Sequence, residues 1–159
     1  MRRLKFCIIV AMVLASAVLV HAQGGKFILD YKGMAFGGKM ADPHSMKKDR
    51  DQGDVTLYTR YGGDRVFQGL PLDKEVFGYC KDRLCLVLFS AHGPSAYNTL
   101  KAYFDANYGP ATQPKMNVKQ FTYGAGEVDI QFSYNDNSKE AEVSYIYRPL
   151  FKQMMPGVK

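Results

Sequence analysis

The chain has 159 residues, with 21 Lys and Arg against 15 Asp and Glu, which gives a formal charge of +6. Half of this charge lies in the first 22 residues, which carry Arg2, Arg3 and Lys5 and no acidic residue; the other 137 residues have a charge of +3. A chain of that length forms one domain and is too short for a two-domain, doubly wound nucleotide-binding enzyme. Because the remaining charge is small and dispersed, we expect no nucleic-acid partner.

Residues 1–22 have the pattern of a cleaved signal peptide. Their basic start precedes an apolar run over residues 6–20, and small residues around Ala22 form a cleavage site. The run is shorter than the roughly 20 residues that a membrane-spanning helix needs. We therefore predict a periplasmic or secreted protein with no stable membrane anchor after cleavage. A single domain is predicted over residues 23–150, and a flexible C-terminal tail over residues 151–159.

The segment that follows the signal has few clear elements. Apolar islands between glycines in residues 23–39 indicate one or two short strands at a sheet edge. Residues 42–54 are almost wholly polar and have no period, so a surface loop is predicted there, which could include one helical turn.

Short apolar runs separated by turn residues then predict four antiparallel strands. These are residues 55–61, 65–68, 75–81 and 84–91. The Gly62-Gly63 pair is expected to close the first two strands into a hairpin. A two-residue turn at Asp82-Arg83 is expected to close the last two.

One long helix is predicted next, because four apolar residues recur at helical spacing. They are Tyr97, Leu100, Phe104 and Tyr108. Pro94 and Ser95 are typical of a first helical turn, with the Ser95 hydroxyl as a cap, and Gly109-Pro110 is typical of a helix end.

The predicted fold ends in a strand at residues 119–123 and a hairpin whose strands alternate apolar and polar residues. A loop at residues 135–138 pairs Phe132 with Ala141 and Ile130 with Val143, which places both apolar sets on one face. The complete order predicts an α+β domain: a twisted antiparallel sheet built from hairpins, with one helix packed on one face.

Two cysteines, Cys80 and Cys85, lie outside the predicted signal, and export to an oxidising compartment favours a disulfide between them. The Asp82-Arg83 turn would place them opposite each other, about 4.5 Å apart at Cα, within reach of a disulfide. A redox-active pair and free or metal-bound thiols are the alternatives. Redox motifs have two intervening residues, whereas four intervene here.

No catalytic, metal or cofactor site is predicted. Residues 49–54 lack the order of a calcium loop, and the histidines and cysteines lack zinc-ligand spacing. His92 and Ser95 do lie together before the predicted helix, where a carboxylate such as Asp64 or Asp73 would complete an acid-base set. Helix capping by Ser95 is the simpler interpretation.

Aromatic residues are abundant, with 11 Tyr, 10 Phe and no Trp. Strands favour aromatic residues, so packing explains most of them. A subset could line a sheet face or groove that binds a ligand, since Tyr combines an apolar ring with a polar tip. The residues predicted for such a surface are Tyr58, Tyr123, Tyr145, Tyr147 and His92.

Five segments carry a resemblance to other proteins. They are KGMAFG (32–37), YTR (58–60), VFGYCKDRLCLVLF (76–89), NYG (107–109) and TYGAGEVDIQFSY (122–134). This succession resembles a loose group of small exported bacterial proteins that share a glycine-aromatic opening, a strand-turn-strand core and a helix ending in an aromatic-Gly pair. The group has no settled activity. The resemblance implies an α+β fold and assigns no functional residue.

Well-specified turns and packing, without a catalytic constellation, predict an exported non-enzymatic binding or protein-interaction domain of the bacterial envelope. Its partner would be a protein or a small molecule, bound at an exposed sheet edge or in an aromatic-lined groove beside the helix. The alternative is a small periplasmic hydrolase or transferase with its site near His92.

Overall fold

The structure, a computed structural model, describes residues 26–154. The predicted signal peptide and residues 155–159 of the predicted tail lie outside this range. The strands are β1 (Asp30–Tyr31), β2 (Met34–Ala35), β3 (Met46–Gln52), β4 (Val55–Arg60), β5 (Val66–Phe67), β6 (Leu70–Pro71), β7 (Lys74–Cys80), β8 (Arg83–His92), β9 (Gln120–Ala125), β10 (Val128–Asn135) and β11 (Glu140–Tyr147). The helices are α1 (Pro94–Tyr108) and α2 (Arg148–Met154), with a 3₁₀ helix at Pro43–Ser45. Neither α-helix has the length and apolar character that crossing a bilayer requires, within the described range.

Seven strands form one antiparallel sheet in the order β3-β4-β7-β8-β11-β10-β9. The predicted antiparallel sheet with one main helix is therefore confirmed, in a fold of the α+β class that is dominated by its sheet. Two further two-stranded sheets, β1-β2 and β5-β6, lie beside the large one.

Helix α1 covers one face of the large sheet. Its residues Ala96, Leu100, Phe104 and Tyr108 are buried, since their four-residue spacing places them on one side of the helix. They pack against inward-facing residues of the central strands, together with Tyr31 of β1 and Phe67 of β5. The two small sheets therefore share the core of the helix-covered face.

The opposite face carries a smaller apolar cluster that includes Leu86, Leu88 and Ile146. Leu150 and Phe151 of α2 pack on this cluster, and Arg148 forms an ion pair with Asp129. The predicted tail thus begins inside a short helix. The sequence correctly indicates that the strand ends at Arg148-Pro149, but proline is also tolerated in the first turn of a helix.

Strand β3 occupies most of the segment predicted as a surface loop. It is an edge strand with the sequence MKKDRDQ, in which only Met46 is buried, so no alternation marks it. Charged side chains on an edge strand prevent pairing with other chains. The loop prediction is wrong because an edge strand needs few apolar contacts.

The prediction of a hairpin closed by Gly62-Gly63 is also wrong. Strand β4 pairs with β3 and β7, not with the following segment. That segment forms β5, which pairs with β6 across the Gln68-Gly69 turn.

The two alternating apolar sets predicted for the β10-β11 hairpin do lie on one face, but the two strands pair in a different register. Phe132 pairs with Val143 and Ile130 pairs with Tyr145. The predicted partners are two residues away. A shift of two preserves the face of every side chain, which is why alternation alone could not detect it.

The Cys80–Cys85 disulfide is present, with the Cα atoms 5.8 Å apart. The turn that positions it is Lys81-Asp82, one residue earlier than predicted, with both residues in the left-handed region. A register shift after Gly78 leaves Cys85 without a directly opposed partner in the ladder. The bond therefore joins two residues that are not directly opposed, which corrects the predicted geometry.

Candidate functional site

A pocket of about 320 Å³ opens on the helix-covered side of the sheet, between the two small hairpins, the end of α1 and strand β11. Four tyrosines and one phenylalanine form its aromatic lining. They are Tyr31 of β1, Phe67 of β5, Tyr103 and Tyr108 of α1, and Tyr145 of β11. We refer to this cavity as the tyrosine pocket.

Two similar turns place the hairpins beside the pocket. Lys32-Gly33 and Gln68-Gly69 both have positive φ angles, 49° and 80° in the first pair and 51° and 77° in the second. Two-residue hairpin turns require this conformation, and Gly adopts it without steric cost. In each hairpin the residue before the turn is a buried aromatic residue of the core.

The rings of the pocket hold one another in place. The ring centroids of Tyr31 and Tyr145 are 5.4 Å apart, and Tyr31 lies nearly parallel to Phe67 at 6.2 Å. Tyr103 meets Phe67 edge to face at 5.3 Å. Such contacts stabilise aromatic pairs beyond simple burial, so the lining is formed without a ligand.

A buried carboxylate lies behind this lining. The side chain of Glu75 is only 5% exposed, and its Oε1 accepts a hydrogen bond from the Tyr31 hydroxyl at 2.9 Å. The Lys32 ammonium contacts the same oxygen at 2.5 Å. A buried carboxylate needs such partners because burial alone disfavours its charge. The hairpin of β1 and β2 therefore supplies both groups that stabilise the Glu75 charge, the Tyr31 hydroxyl and the Lys32 ammonium.

The hydroxyls of three pocket tyrosines, Tyr31, Tyr108 and Tyr145, remain protonated at neutral pH. Burial raises the pKa of Tyr31, Tyr108 and Tyr145 well above the ordinary value. The Glu75 charge also raises the pKa of Tyr31, and a hydrogen bond with Tyr103 raises that of Tyr108. These phenols are neutral hydrogen-bonding groups and not bases or nucleophiles.

One carboxylate of the lining is not neutralised by an ion pair. Lys32 and Glu75 balance each other, whereas Asp30 takes part in no salt bridge among residues 26–154. Asp30 is exposed, and its Oδ1 accepts a hydrogen bond from the Gly33 backbone at 2.9 Å. The lining therefore contains one carboxylate without an ion pair, Asp30, and one ammonium group, Lys32, whose partner Glu75 lies outside the lining.

Of the five residues predicted as a binding surface, only Tyr145 lines the tyrosine pocket. Tyr123 is buried and donates a hydrogen bond to Asp105 at 2.9 Å. Tyr58 packs edge to face against a neighbouring ring at 5.5 Å. Tyr147 donates a hydrogen bond to a surface glutamate at 3.2 Å. The structure does not bring these side chains together into one surface.

His92, the fifth of them, ends β8 at an exposed corner. Its Nδ1 pairs with the Asp73 carboxylate, and the two side chains are 52% and 50% exposed. The hydrogen bond that His92 donates to the Asp73 carboxylate is the main reason that the pKa of His92 is raised. The predicted neighbourhood of His92 and Asp73 is therefore observed.

Ser95 does not complete a catalytic set with this pair. In the described part of the chain, no hydrogen bond joins Ser95 to His92, and Asp64 is not paired with the imidazole either. Capping by Ser95 is wrong, since Gly93 is the N-cap of α1 and no side chain caps the helix. Residues 26–154 also contain no group of three or more His, Cys, Asp or Glu that could hold a metal ion.

Sequence reasoning missed most of the tyrosine pocket. Tyr31, Phe67 and Tyr103 were not singled out, and neither was Glu75. One signal was available: Tyr-Lys-Gly at residues 31–33 and Phe-Gln-Gly at residues 67–69 repeat an aromatic residue before a polar-Gly turn.

Comparison with known proteins adds no assignment. No family model, curated protein or solved structure gives a match to the chain. The function must therefore be inferred from the geometry of the site.

Proposed function

We propose that the protein is an exported, non-enzymatic binding domain that holds a small organic molecule in the tyrosine pocket. The observation that carries the proposal is the cavity of about 320 Å³ with its aromatic lining and a few polar groups. Ligand sites in proteins share these features: they are concave and preformed, combine aromatic side chains with a few polar groups, and have a size range that begins near 300 Å³.

The groups around the pocket favour binding over catalysis. The phenols of Tyr31, Tyr108 and Tyr145 are neutral, and the Glu75 carboxylate is occupied by Tyr31 and Lys32. A general base or nucleophile needs a lone pair that is available to the substrate. The same groups can orient a ligand through hydrogen bonds and ring contacts.

A pocket ligand is also favoured over a strand added at a sheet edge. The β3 edge is lined by charged residues, which discourage strand addition. At the other edge, Thr112 forms two backbone hydrogen bonds with Thr122 of β9, both at 2.9 Å. Both edges are therefore poorly suited to docking an extended peptide.

The experiment is a fragment screen by ligand-observed NMR on three forms of the mature protein. Val66 lines the pocket and is exposed, so Val66→Trp should fill its mouth. Val118 has similar exposure and lies outside the lining, so Val118→Trp is the matched control. Fragments should bind the wild type and the control and lose binding to Val66→Trp. Fragment binding that persists in a folded Val66→Trp protein would contradict the proposal.

Export is supported by the basic and apolar pattern of residues 1–22 and by the Cys80–Cys85 disulfide. Mass spectrometry of the protein from the periplasmic or extracellular fraction tests this. The mature chain should begin at Gln23 and be about two daltons lighter before reduction. A retained signal or two free thiols would argue against an exported, oxidised protein.

The His92–Asp73 pair supports a second candidate, a small hydrolase or transferase. An imidazole held by a carboxylate is a common general base. Hydrolysis of simple ester and phosphoester substrates that disappears in His92→Ala and in Asp73→Asn would favour this candidate. Any activity that survives His92→Ala removes it.

A further inference from the structure

The lining of the tyrosine pocket combines aromatic rings with the Asp30 carboxylate, and its one cation, Lys32, is paired with Glu75 outside the lining. We infer that its ligand is a small organic cation, an ammonium group carried on a compact apolar body. This inference rests on the proposed function and specifies the class of ligand. Three independent features of the site support it.

The first feature is the aromatic lining itself. The face of an aromatic ring is electronegative, so a cation within about 6 Å of a ring centroid is attracted to it, and more strongly once water is excluded. Five rings surround this cavity. Four are tyrosines, whose hydroxyls can also accept a hydrogen bond from an N–H donor.

The second feature is an ammonium group that the chain already places beside the pocket. The Lys32 nitrogen lies 5.4 Å from the centroid of the Tyr31 ring and 2.5 Å from Glu75 Oε1. The local environment therefore stabilises a cation against a pocket ring. Since Glu75 neutralises Lys32, this internal ammonium leaves no net positive charge to repel a second one.

The third feature is the remaining charge. Asp30 lines the pocket and has no ion-pair partner among the described residues. Burial, the largest cause of the raised pKa of Tyr31, Tyr108 and Tyr145, disfavours a charge of either sign, but the Glu75 charge also raises the pKa of Tyr31 and so opposes a negative charge specifically. An anionic ligand would meet this opposition from Glu75, whereas a cation would offset the Asp30 charge.

Three probes of nearly equal shape separate the possible ligand classes: choline, the neutral 3,3-dimethylbutan-1-ol and the anionic 3,3-dimethylbutanoate. Each is titrated into the mature protein by calorimetry or NMR. We expect choline to bind about tenfold more tightly than the neutral alcohol, and the acid to bind most weakly.

Asp30→Asn tests the source of the preference, because asparagine can still accept the hydrogen bond from Gly33. We expect choline affinity to fall about fivefold and the affinity of the neutral alcohol to stay unchanged, as for an exposed charge. Asp54→Asn, in the β3-β4 turn far along the chain from the lining, is the matched control and should change neither value.

Each result has a distinct meaning. If the alcohol or the acid binds as tightly as choline and Val66→Trp abolishes it, the cation inference is wrong and the binding function stands. If no probe binds, the cation inference is also wrong, and the fragment screen alone decides whether the pocket binds ligands. Choline binding that is equal in Asp30→Asn and wild type would remove Asp30 from the recognition.

Discussion

Two carboxylates of this protein are each held by a basic side chain, in opposite surroundings. Glu75 is 5% exposed and is bound by Lys32 and by the Tyr31 hydroxyl. Asp73 is 50% exposed and is bound by His92 alone. The first pair belongs to the wall of a cavity, and the second lies in solvent.

The difference shows that burial, and not the presence of an ion pair, determines what such a pair contributes. Solvent screens the His92–Asp73 pair, so its loss should cost little. Glu75 is excluded from solvent, and any missing partner leaves a polar group unsatisfied in the core. We therefore expect substitutions at Tyr31 and Glu75 to reduce stability more than substitutions at the His92–Asp73 pair.

The largest effect should follow from removing the Tyr31 ring. Tyr31→Ala deletes a ring packed on Phe67, Phe89 and Tyr145, together with the hydrogen bond to Glu75. We expect the free energy of unfolding to fall by about 4 kcal/mol, as for other buried aromatic truncations. Urea unfolding measures it. The exposed Tyr61→Ala is the control, with a change within about 0.5 kcal/mol. Equal losses of unfolding free energy in Tyr31→Ala and Tyr61→Ala would contradict the expectation that the buried ring contributes more to stability than the exposed one.

Removing only the hydroxyl isolates the polar contribution. Tyr31→Phe leaves the ring and takes one hydrogen bond from buried Glu75, so we expect a loss of about 2 kcal/mol. Tyr147→Phe removes the corresponding bond to the exposed Glu127 and should cost less than about 0.5 kcal/mol. Urea unfolding of both variants would contradict this expectation if the exposed bond were worth as much as the buried one.

Alkaline pH should test the buried phenols as a group. The unfolded chain loses tyrosine protons near pH 10, while the folded chain keeps those of Tyr31, Tyr108 and Tyr145. The folded state then binds more protons, so stability is unaffected below pH 10. Above it, stability declines by about 1.4 kcal/mol per pH unit for each group.

Unfolding measured at several alkaline pH values, with ultraviolet absorbance to follow phenolate, gives this slope. Tyr145→Phe removes one of these titrating groups, so it should reduce the slope of unfolding free energy against pH by the contribution of one group. Ionisation of every tyrosine while the protein remains folded would show that the pocket is open to solvent.

The smallest effect is expected at His92. Its pKa is raised in the folded state above the ordinary value of 6.5, mainly by the hydrogen bond that it donates to the Asp73 carboxylate. The pair therefore stabilises fully below pH 6.5, and this stability is lost as pH rises through the raised pKa. Because both groups are half exposed, the contribution should not exceed about 1 kcal/mol.

The difference in unfolding free energy between wild type and His92→Gln should appear at mildly acidic pH and vanish at alkaline pH. Asp73→Asn should show the same window, since it removes the partner that raises the pKa. A loss that does not change with pH would mean that His92 acts through packing and not through its charge.

Sequence patterns predicted the elements that bury one complete face. The helix from Pro94 to Tyr108 and the alternation in β10 are observed because burying one apolar face requires those periods. In β11 the alternation of burial stops after Val143, because Ser144 and Ile146 on the other face are also buried. The same logic failed for β3, where only Met46 is buried. It could not distinguish registers that differ by two residues, because both bury the same side chains.

The Cys80–Cys85 disulfide was predicted correctly from the closeness of the two cysteines in the chain, although the predicted turn and strand register were wrong. With four residues between them, Cys80 and Cys85 are close in any tight hairpin. The turn position and the register shift beside Gly78 depended on packing that the sequence does not display. A Cβ at Gly78 would lie 2.9 Å from Leu86 Cβ, so only glycine fits this close approach.

By itself, the sequence determined the antiparallel α+β class, the long helix and the cysteine pair, because these depend on periodicity and on residues near one another in the chain. Only the tertiary structure selected four of the 11 tyrosines, Tyr31, Tyr103, Tyr108 and Tyr145, to line one cavity, and brought Lys32 to Glu75. The segments that carry these groups are separated by tens of residues. Their convergence depends on how two small hairpins pack against the helix, and no local pattern encodes that packing.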